Sequence, residues 1–287
     1  MGSWLVPRAL RPAYAAIYRF ARHADDIADE GHLSDRERLF QLEHLGKSLR
    51  GEANHPIAAQ VIPHIEGQKL NLECFFRLLA AFSQDIEKKR YQSFSELLQY
   101  CEGSANPVGE LVLGLFATHS GLNLSSTDHL KKSDQICSAL QIINFLQDME
   151  VDWHKRRIYL PLELAGQCGI SEPRLEELLE ESHRLGAIPH GPEGRALKEA
   201  IRLLHLQTQA LLSAGRPLIG MVPFRLSLEL RAICAGGQRI LDLIAAGQFD
   251  PFAKRPKLGA EDLPSLLRLF FTASPVSSAS QVPPPKQ

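Results

Sequence analysis

The chain lacks an excess of either charge: 32 Lys and Arg stand against 33 Asp and Glu in 287 residues. That balance carries no footprint of a nucleic-acid partner. It also lacks paired cysteines. The five (Cys74, Cys101, Cys137, Cys168, Cys234) are odd in number, form no CxxC and lie in apolar segments. The simplest reading is reduced thiols in a cytoplasmic protein. No run approaches the ~20 apolar residues that span a bilayer. The opening "MGSWLVPRALRPAYAA" has no basic leader before a long apolar stretch, so it does not read as a signal peptide. The eleven histidines show no HExxH spacing, and no Gly-rich dinucleotide fingerprint is present. Ser104 and Ser138 have no recognisable base nearby in sequence. Alternating strand patterns are scarce.

What is present is helical periodicity. Helices are predicted at about 10–30, 35–50, 55–66, 71–86, 94–119, 128–154, 172–181, 192–215, 224–247 and 261–272. Breakers such as Gly51, Gly67, Pro161, Gly186 and Pro223 separate them, and Ser34 with Glu37 reads as a capping box. There is no fixed-period repeat and no linker long enough to divide the chain. The expectation is one all-α domain over residues 1–273, followed by a disordered Ser/Pro-rich tail at 274–287. The segment "LPSLLRLFF" (263–271) reads as a packed terminal helix. A peripheral membrane contact through it stays open.

One stretch departs from this pattern. "QIINFLQDMEVDW" (141–153) is apolar around most of a helix, yet Gln141, Asn144, Asp148 and Asp152 gather in a sector of about 80°. A helix apolar nearly all round should be buried. The polar line should then border an internal cavity. In "AYAAIYRFARHADDIADE" (13–30), Ile17, Phe20, Ala24, Ile27 and Ala28 form one stripe, and Tyr18, Arg22, Asp25 and Asp29 run along its edge. Asp26 and Glu30 point elsewhere, towards solvent, and so does His23.

Two helices thus each carry a DxxxD pair. Like charges four residues apart repel even on an exposed helix. A divalent cation removes that penalty, and Mg²⁺ takes hard oxygen ligands together with substrate phosphates. Arg22 beside Asp25, and Lys155, Arg156 and Arg157 just after Asp152, supply cations for phosphate oxygens. The competing reading is that the aspartates are simply salt-bridged to Arg22 and Arg157. In "YCEGSANPVGELVLGLF" (100–116), Gly103, Ser104, Ala105 and Gly109, with Pro107 to kink the helix, make room either for a substrate tunnel or for close helix packing.

"FARHADDIADE" (20–30) and "QIINFLQDMEVDWHKRRIYLP" (141–161) resemble the two aspartate motifs of the squalene/phytoene synthase family, the head-to-head trans-prenyltransferases. The phrases "SANPVGEL", "VDWHKRRIYLP", "AGGQRILD" and "RPKLGA" are most similar to the hydroxysqualene synthase branch, which converts presqualene diphosphate to hydroxysqualene in hopanoid biosynthesis. The resemblance spans roughly residues 3–270. It implies a single-domain isoprenoid-synthase helical bundle around a central cavity. It implies that Asp25, Asp29, Asp148 and Asp152 are catalytic and bind Mg²⁺–diphosphate, with Asn144 adding a neutral oxygen. It places Arg22 and Arg157 on phosphate, Gln141 on the cavity wall and Tyr159 near the active site. The implied partner is a prenyl diphosphate substrate, presqualene or farnesyl, and the implied state is a monomer or homodimer.

Two departures stand out. Relatives carry a further N-terminal segment over the diphosphate, and Glu102 stands at or near a tyrosine of carotenoid-type members. Three readings follow: the hydroxysqualene type, which needs no NADPH; an enzyme condensing two farnesyl diphosphates; and a non-catalytic assembly factor. Members of that last kind have eroded aspartate motifs, whereas all four aspartates stand here.

Overall fold

The computed structural model describes residues 5–29, 33–121 and 127–272. The expected tail at 274–287 and Glu30 lie outside them. The helices are α1 (Arg11–Asp29), α2 (Asp35–Leu49), α3 (Pro56–Gln68), α4 (Glu73–Glu87), α5 (Phe94–Ser104), α6 (Asn106–Ser120) and α7 (Thr127–Gln147). Then follow α8 (Met149–His154), α9 (Leu162–Gln167), α10 (Glu172–Leu185), α11 (Pro192–Gly215), α12 (Phe224–Ala246) and α13 (Leu263–Thr272). No strand occurs among the described residues. A lone parallel bridge joins Arg90 to Ile158. The protein is all-α, as its periodicity predicts.

Local chemistry sets the ends. Ser34 caps α2: its backbone N–H donates to Glu37 Oε2 at 2.8 Å, and its hydroxyl accepts from the Glu37 N–H. Pro56 and Pro192 open α3 and α11, where a missing N–H costs nothing. The predicted helix at 94–119 is two helices. They break at Ala105 (φ −125°, ψ −48°), because Pro107 lacks the N–H that an unbroken helix needs. The predicted helix at 128–154 is also two, broken at Asp148 (φ −109°, ψ 17°).

Apolar side chains gather in two clusters. One joins α1–α4 and α6 to Leu226 of α12. In it Phe20 meets Phe75 edge to face, with ring centroids 5.1 Å apart; truncating such a ring costs about 3–5 kcal/mol. The other joins α5 and α7–α12, with α11 packed along α7. The α1 edge bearing Arg22 and Asp25 and the α7 edge bearing Gln141 and Asn144 face each other across a cleft.

The small residues of 103–109 divide their work. A Cβ on Gly109 would sit 2.4 Å from Ser133 Oγ and 2.6 Å from Cys137 Sγ, so α6 approaches α7 only because that residue is glycine. A Cβ on Gly103 would sit 3.1 Å from the Ala81 methyl. Ser104 and Val108 line the cleft instead. The terminal helix α13 lies on α12 but buries none of its residues, and Leu263, Leu267 and Phe271 are exposed. It is therefore less packed than its composition suggests. No helix among the described residues is long and apolar enough to cross a membrane.

Candidate active site

The cleft between α1, α4, α6 and α7 has a volume of about 460 Å³. Tyr18, Arg22 and Asp25 line it from α1, Ser104 from the end of α5, and Gln141 and Asn144 from α7. Its remaining wall is apolar: Ile17, Leu78, Phe82, Val108 and Val112. Tyr14, Val108 and Val112 also border a second, almost wholly apolar chamber of about 170 Å³, with Leu113, Leu140, Leu226 and Ile233. The Tyr14 hydroxyl, 3.4 Å from Glu229, stands between the two.

Asp29, Asp148, Asp152, Arg157 and Tyr159 do not line this cavity; they lie beside it. Arg157 Nη1 donates to Asp29 Oδ1 at 2.6 Å, and Lys155 Nζ donates to Asp29 Oδ2 at 2.7 Å. These contacts tie the first aspartate pair to the segment following the second. Burial alone would push the Asp29 carboxyl up, but Arg157 and Lys155 overcome it and hold the group below its usual value. Asp25 is salt-bridged to Arg22 at 3.1 Å, yet burial and the neighbouring Asp29 push it up to about 6. Asp26 does not face solvent as expected. It is half-buried, with Oδ1 2.8 Å from Arg22 Nη2.

The second pair divides in the same way. Asp148 accepts from Arg255 Nε at 2.5 Å. Asp152 has no ion pair among the described residues. Burial, with Asp148 beside it, pushes its carboxyl up to about 7.

The segment after α8 is held by backbone bonds to the chain after α4. Ile158 N–H donates to Lys89 O, and Leu162 N–H to Tyr91 O. Arg156 makes the turn at φ 57°. This seam fixes Arg157, whose side chain is 6% exposed, and Tyr159, whose ring stacks on Phe145 at 3.7 Å.

Beneath them lies a residue that sequence patterns missed, Asp85 of α4. It accepts from Tyr100 OH at 2.5 Å and from Tyr159 OH at 3.5 Å, and burial pushes it up to about 6. Its one signal in sequence is a lone acid among the apolar residues of "LLAAFSQDI". Arg255 had no signal beyond its place in "RPKLGA". Glu102, set apart above, faces a different surface cleft with Arg77 and Asp134.

The competing salt-bridge reading is thus partly realised, because Arg22, Arg157, Lys155 and Arg255 do pair with three of the four aspartates. The donor set still fits a hard cation. It offers four carboxylates and the Asn144 amide oxygen, and two of the carboxylates, Asp25 and Asp152, are pushed upward by burial and by the other aspartate of each pair. No three of the carboxylates converge on one point among the described residues.

Residues 1–262 match the model of the squalene/phytoene synthase family. A hydroxysqualene synthase from Rhodopseudomonas palustris is 31% identical over 261 residues, covering 90% of this chain and 82% of that one. One from Zymomonas mobilis is 29% identical, covering 89% and 80%. The solved squalene synthase HpnC from Alicyclobacillus acidocaldarius superposes with a TM-score of 0.71 at 32% identity, covering 85% of this chain and 86% of that one. A dehydrosqualene synthase in complex with ligand, at 19% identity and TM-score 0.72, shares the fold. The chain has the all-α isoprenoid synthase fold and belongs to the squalene/phytoene synthase family.

Proposed function

We propose that the protein converts presqualene diphosphate to hydroxysqualene, with Mg²⁺ held by Asp25, Asp29, Asp148, Asp152 and the Asn144 amide oxygen. When bound, the metal would supply Lewis-acid stabilisation of the departing diphosphate. The protein's own groups do the rest. Arg22, half-exposed at the cleft mouth, and Lys155 are placed to grip phosphate oxygens. Arg157 holds Asp29 ionised and aimed. Ile17, Leu78, Phe82, Val108 and Val112 give the carbocation a dry wall, and the second apolar chamber takes the length of a prenyl chain.

A captured water needs polar neighbours in an otherwise apolar cleft. Gln141 offers one. Ser104 offers another: its hydroxyl is buried, lines the cleft and has no hydrogen-bond partner. Ser104→Ala should therefore raise the share of non-hydroxylated hydrocarbon in the product.

The observation that carries this reading is the amphiphilic cleft between α1 and α7, with Asp25 in its wall and Asp29 beside it tied by Lys155 and Arg157 to the segment after Asp152; the hydroxysqualene synthases at about 30% identity support it. Similarity to the solved squalene synthase from Alicyclobacillus acidocaldarius favours a second reading, a squalene-type synthase that condenses two prenyl diphosphates. Product analysis separates them. Purified protein with Mg²⁺ is given presqualene diphosphate or farnesyl diphosphate alone, and the products are identified by mass. Hydroxysqualene from the first substrate and nothing from the second is the expected result. Turnover of farnesyl diphosphate alone moves the protein to the condensing class. Asp148→Asn should abolish turnover with helical content intact; surviving activity would refute the metal assignment.

A further inference from the structure

The short helix α8 has two faces. Asp148 precedes it and Asp152 lies on the face next to Asp148. Glu150 is two residues from Asp152, about 200° round the helix, and His154 follows Glu150 by one turn on the same outer face. Opposite them stands His183 of α10. The His154 and His183 rings meet edge to face, with centroids 4.2 Å apart. His183 Nδ1 is 3.5 Å from Glu150 Oε1. It is sealed from solvent and has no hydrogen-bond partner. One donor atom from each of Glu150, His154 and His183 falls within 4.8 Å of the others, and no other group of three or more His, Cys, Asp or Glu does so among the described residues.

We propose that Glu150, His154 and His183 form a second metal site, for a borderline transition ion of the Zn²⁺ type, that staples α8 to α10 behind the second aspartate pair. Two imidazoles and one carboxylate are a complete three-ligand protein set, with a fourth position left for water. Tetrahedral bonds of about 2.0–2.1 Å place neighbouring donor atoms roughly 3.4 Å apart. The His183–Glu150 separation already meets that spacing. The other gaps close by side-chain rotation, since His154 is exposed and Glu150 half-exposed. Imidazole nitrogens favour Zn²⁺ over Mg²⁺, so this site and the hard-oxygen cleft do not compete for one ion.

The site gains its role from the weakness of its helix. α8 has six residues, follows the break at Asp148 and ends in the left-handed turn at Arg156. Its outer side is otherwise tied to α10 by Trp153 Nε1 and Arg156 Nη1, both donating to Glu180. A metal bond there fixes the rotation of α8, and hence where Asp152 points.

The test uses the full chain stripped of metal, with millimolar Mg²⁺ present throughout. Zn²⁺ is titrated against a chromogenic chelator, and melting is followed in parallel. One Zn²⁺ per chain should bind, and the melting temperature should rise by about 5 °C at 100 times Kd. His154→Ala/His183→Ala should lose that binding and that shift. Glu150→Gln, which keeps the side-chain shape, should weaken binding by tenfold or more. The second histidine group, in which the His23 and His44 rings lie 5.2 and 6.0 Å from that of His55, serves as the control. His23→Ala/His55→Ala should bind as wild type. Stoichiometric Zn²⁺ binding that survives His154→Ala/His183→Ala, or fails in His23→Ala/His55→Ala, overturns the site. So does the absence of stoichiometric binding by wild type. None of these readouts involves turnover, so they stand apart from the proposed reaction.

Discussion

Asp25 and Asp29 sit on one unbroken helix of 19 residues, whereas Asp148 ends a helix and Asp152 lies inside the next, a helix of six. The first pair is held by the apolar stripe of α1, whose Phe20, Ala24 and Ala28 are fully buried. The second is held mainly by what surrounds it: the seam to residues 89–92, the Arg255 loop and the contact with α10. Charge follows another division. In each pair one carboxylate is gripped by cations from distant sequence (Asp29, Asp148), while burial pushes the other upward (Asp25, Asp152). Rigid and adjustable halves therefore present the same electrostatic pattern. The pattern belongs to the assembled cleft and not to either helix.

Arg157→Ala breaks the comparison most severely, because this residue joins the two halves. It donates to Asp29 from its side chain and to the Asp152 carbonyl from its backbone, and its guanidinium is almost wholly buried. Its loss leaves Asp29 with Lys155 alone. Turnover should fall by more than 100-fold, and stability by about 3–5 kcal/mol, the range for breaking a buried pair. Denaturant titration beside product assays checks both. Arg157→Lys should restore stability better than activity, because an ammonium keeps the charge but not the fork.

The pH dependence of stability sharpens the comparison. Asp25, Asp85 and Asp152 are raised to about 6, 6 and 7. A raised carboxyl adds stability that is full below its unfolded value near 4 and is lost as pH rises through the folded value. Metal-free protein should therefore melt progressively lower between about pH 5 and pH 8. Asp29, lowered, contributes stability that is full above its unfolded value near 4 and is lost as pH falls from there through its folded value, outside that window. Asp152→Asn should flatten the upper part of the slope. A metal-free melting temperature that stays level from pH 5 to 8 would contradict the assigned burial of these groups.

The sequence makes the helices legible because periodicity is a local signal, and both aspartate pairs are visible as polar lines on apolar helices. The break at Asp148 is not legible, since no Pro or Gly marks it. Nor is α9, whose six residues are too few to show a period. Asp85 and Arg255 stay hidden for a different reason. Their partners are remote: Tyr100 and Tyr159 lie 15 and 74 residues from Asp85, and Asp148 lies 107 from Arg255. A hydrogen bond or ion pair across such a distance leaves no pattern along the chain. The tunnel-or-packing ambiguity at 103–109 could be resolved only when the neighbours of each residue were known.

Gly109→Ala probes that division with a moderate effect. The added methyl meets Ser133 and Cys137 well inside contact distance. Overpacking of this kind costs about 1–3 kcal/mol. The aspartates are untouched, so thermal stability should drop while the metal dependence of turnover stays the same.

Arg255→Ala should have the smallest effect on folding and is the finest test of the two halves. Arg255 and Asp148 are both partly exposed, at 39% and 28%, and an exposed pair contributes only about 0–1 kcal/mol. Gln147 Nε2 still donates to Pro256 O at 2.6 Å, so the loop stays attached without the ion pair. Removing the guanidinium leaves the Asp148 charge uncompensated beside Asp152, which already feels Asp148 as an unfavourable neighbour. The consequence should appear in metal affinity. Two unscreened carboxylates attract a cation more strongly, so half-maximal activity should need less Mg²⁺ than in wild type, with the melting temperature nearly unchanged. If Arg255 instead helps to bind phosphate, KM for the diphosphate rises and the Mg²⁺ requirement does not fall. A titration of Mg²⁺ at saturating substrate, set beside one of substrate at saturating Mg²⁺, assigns Arg255 to the aspartate or to the diphosphate.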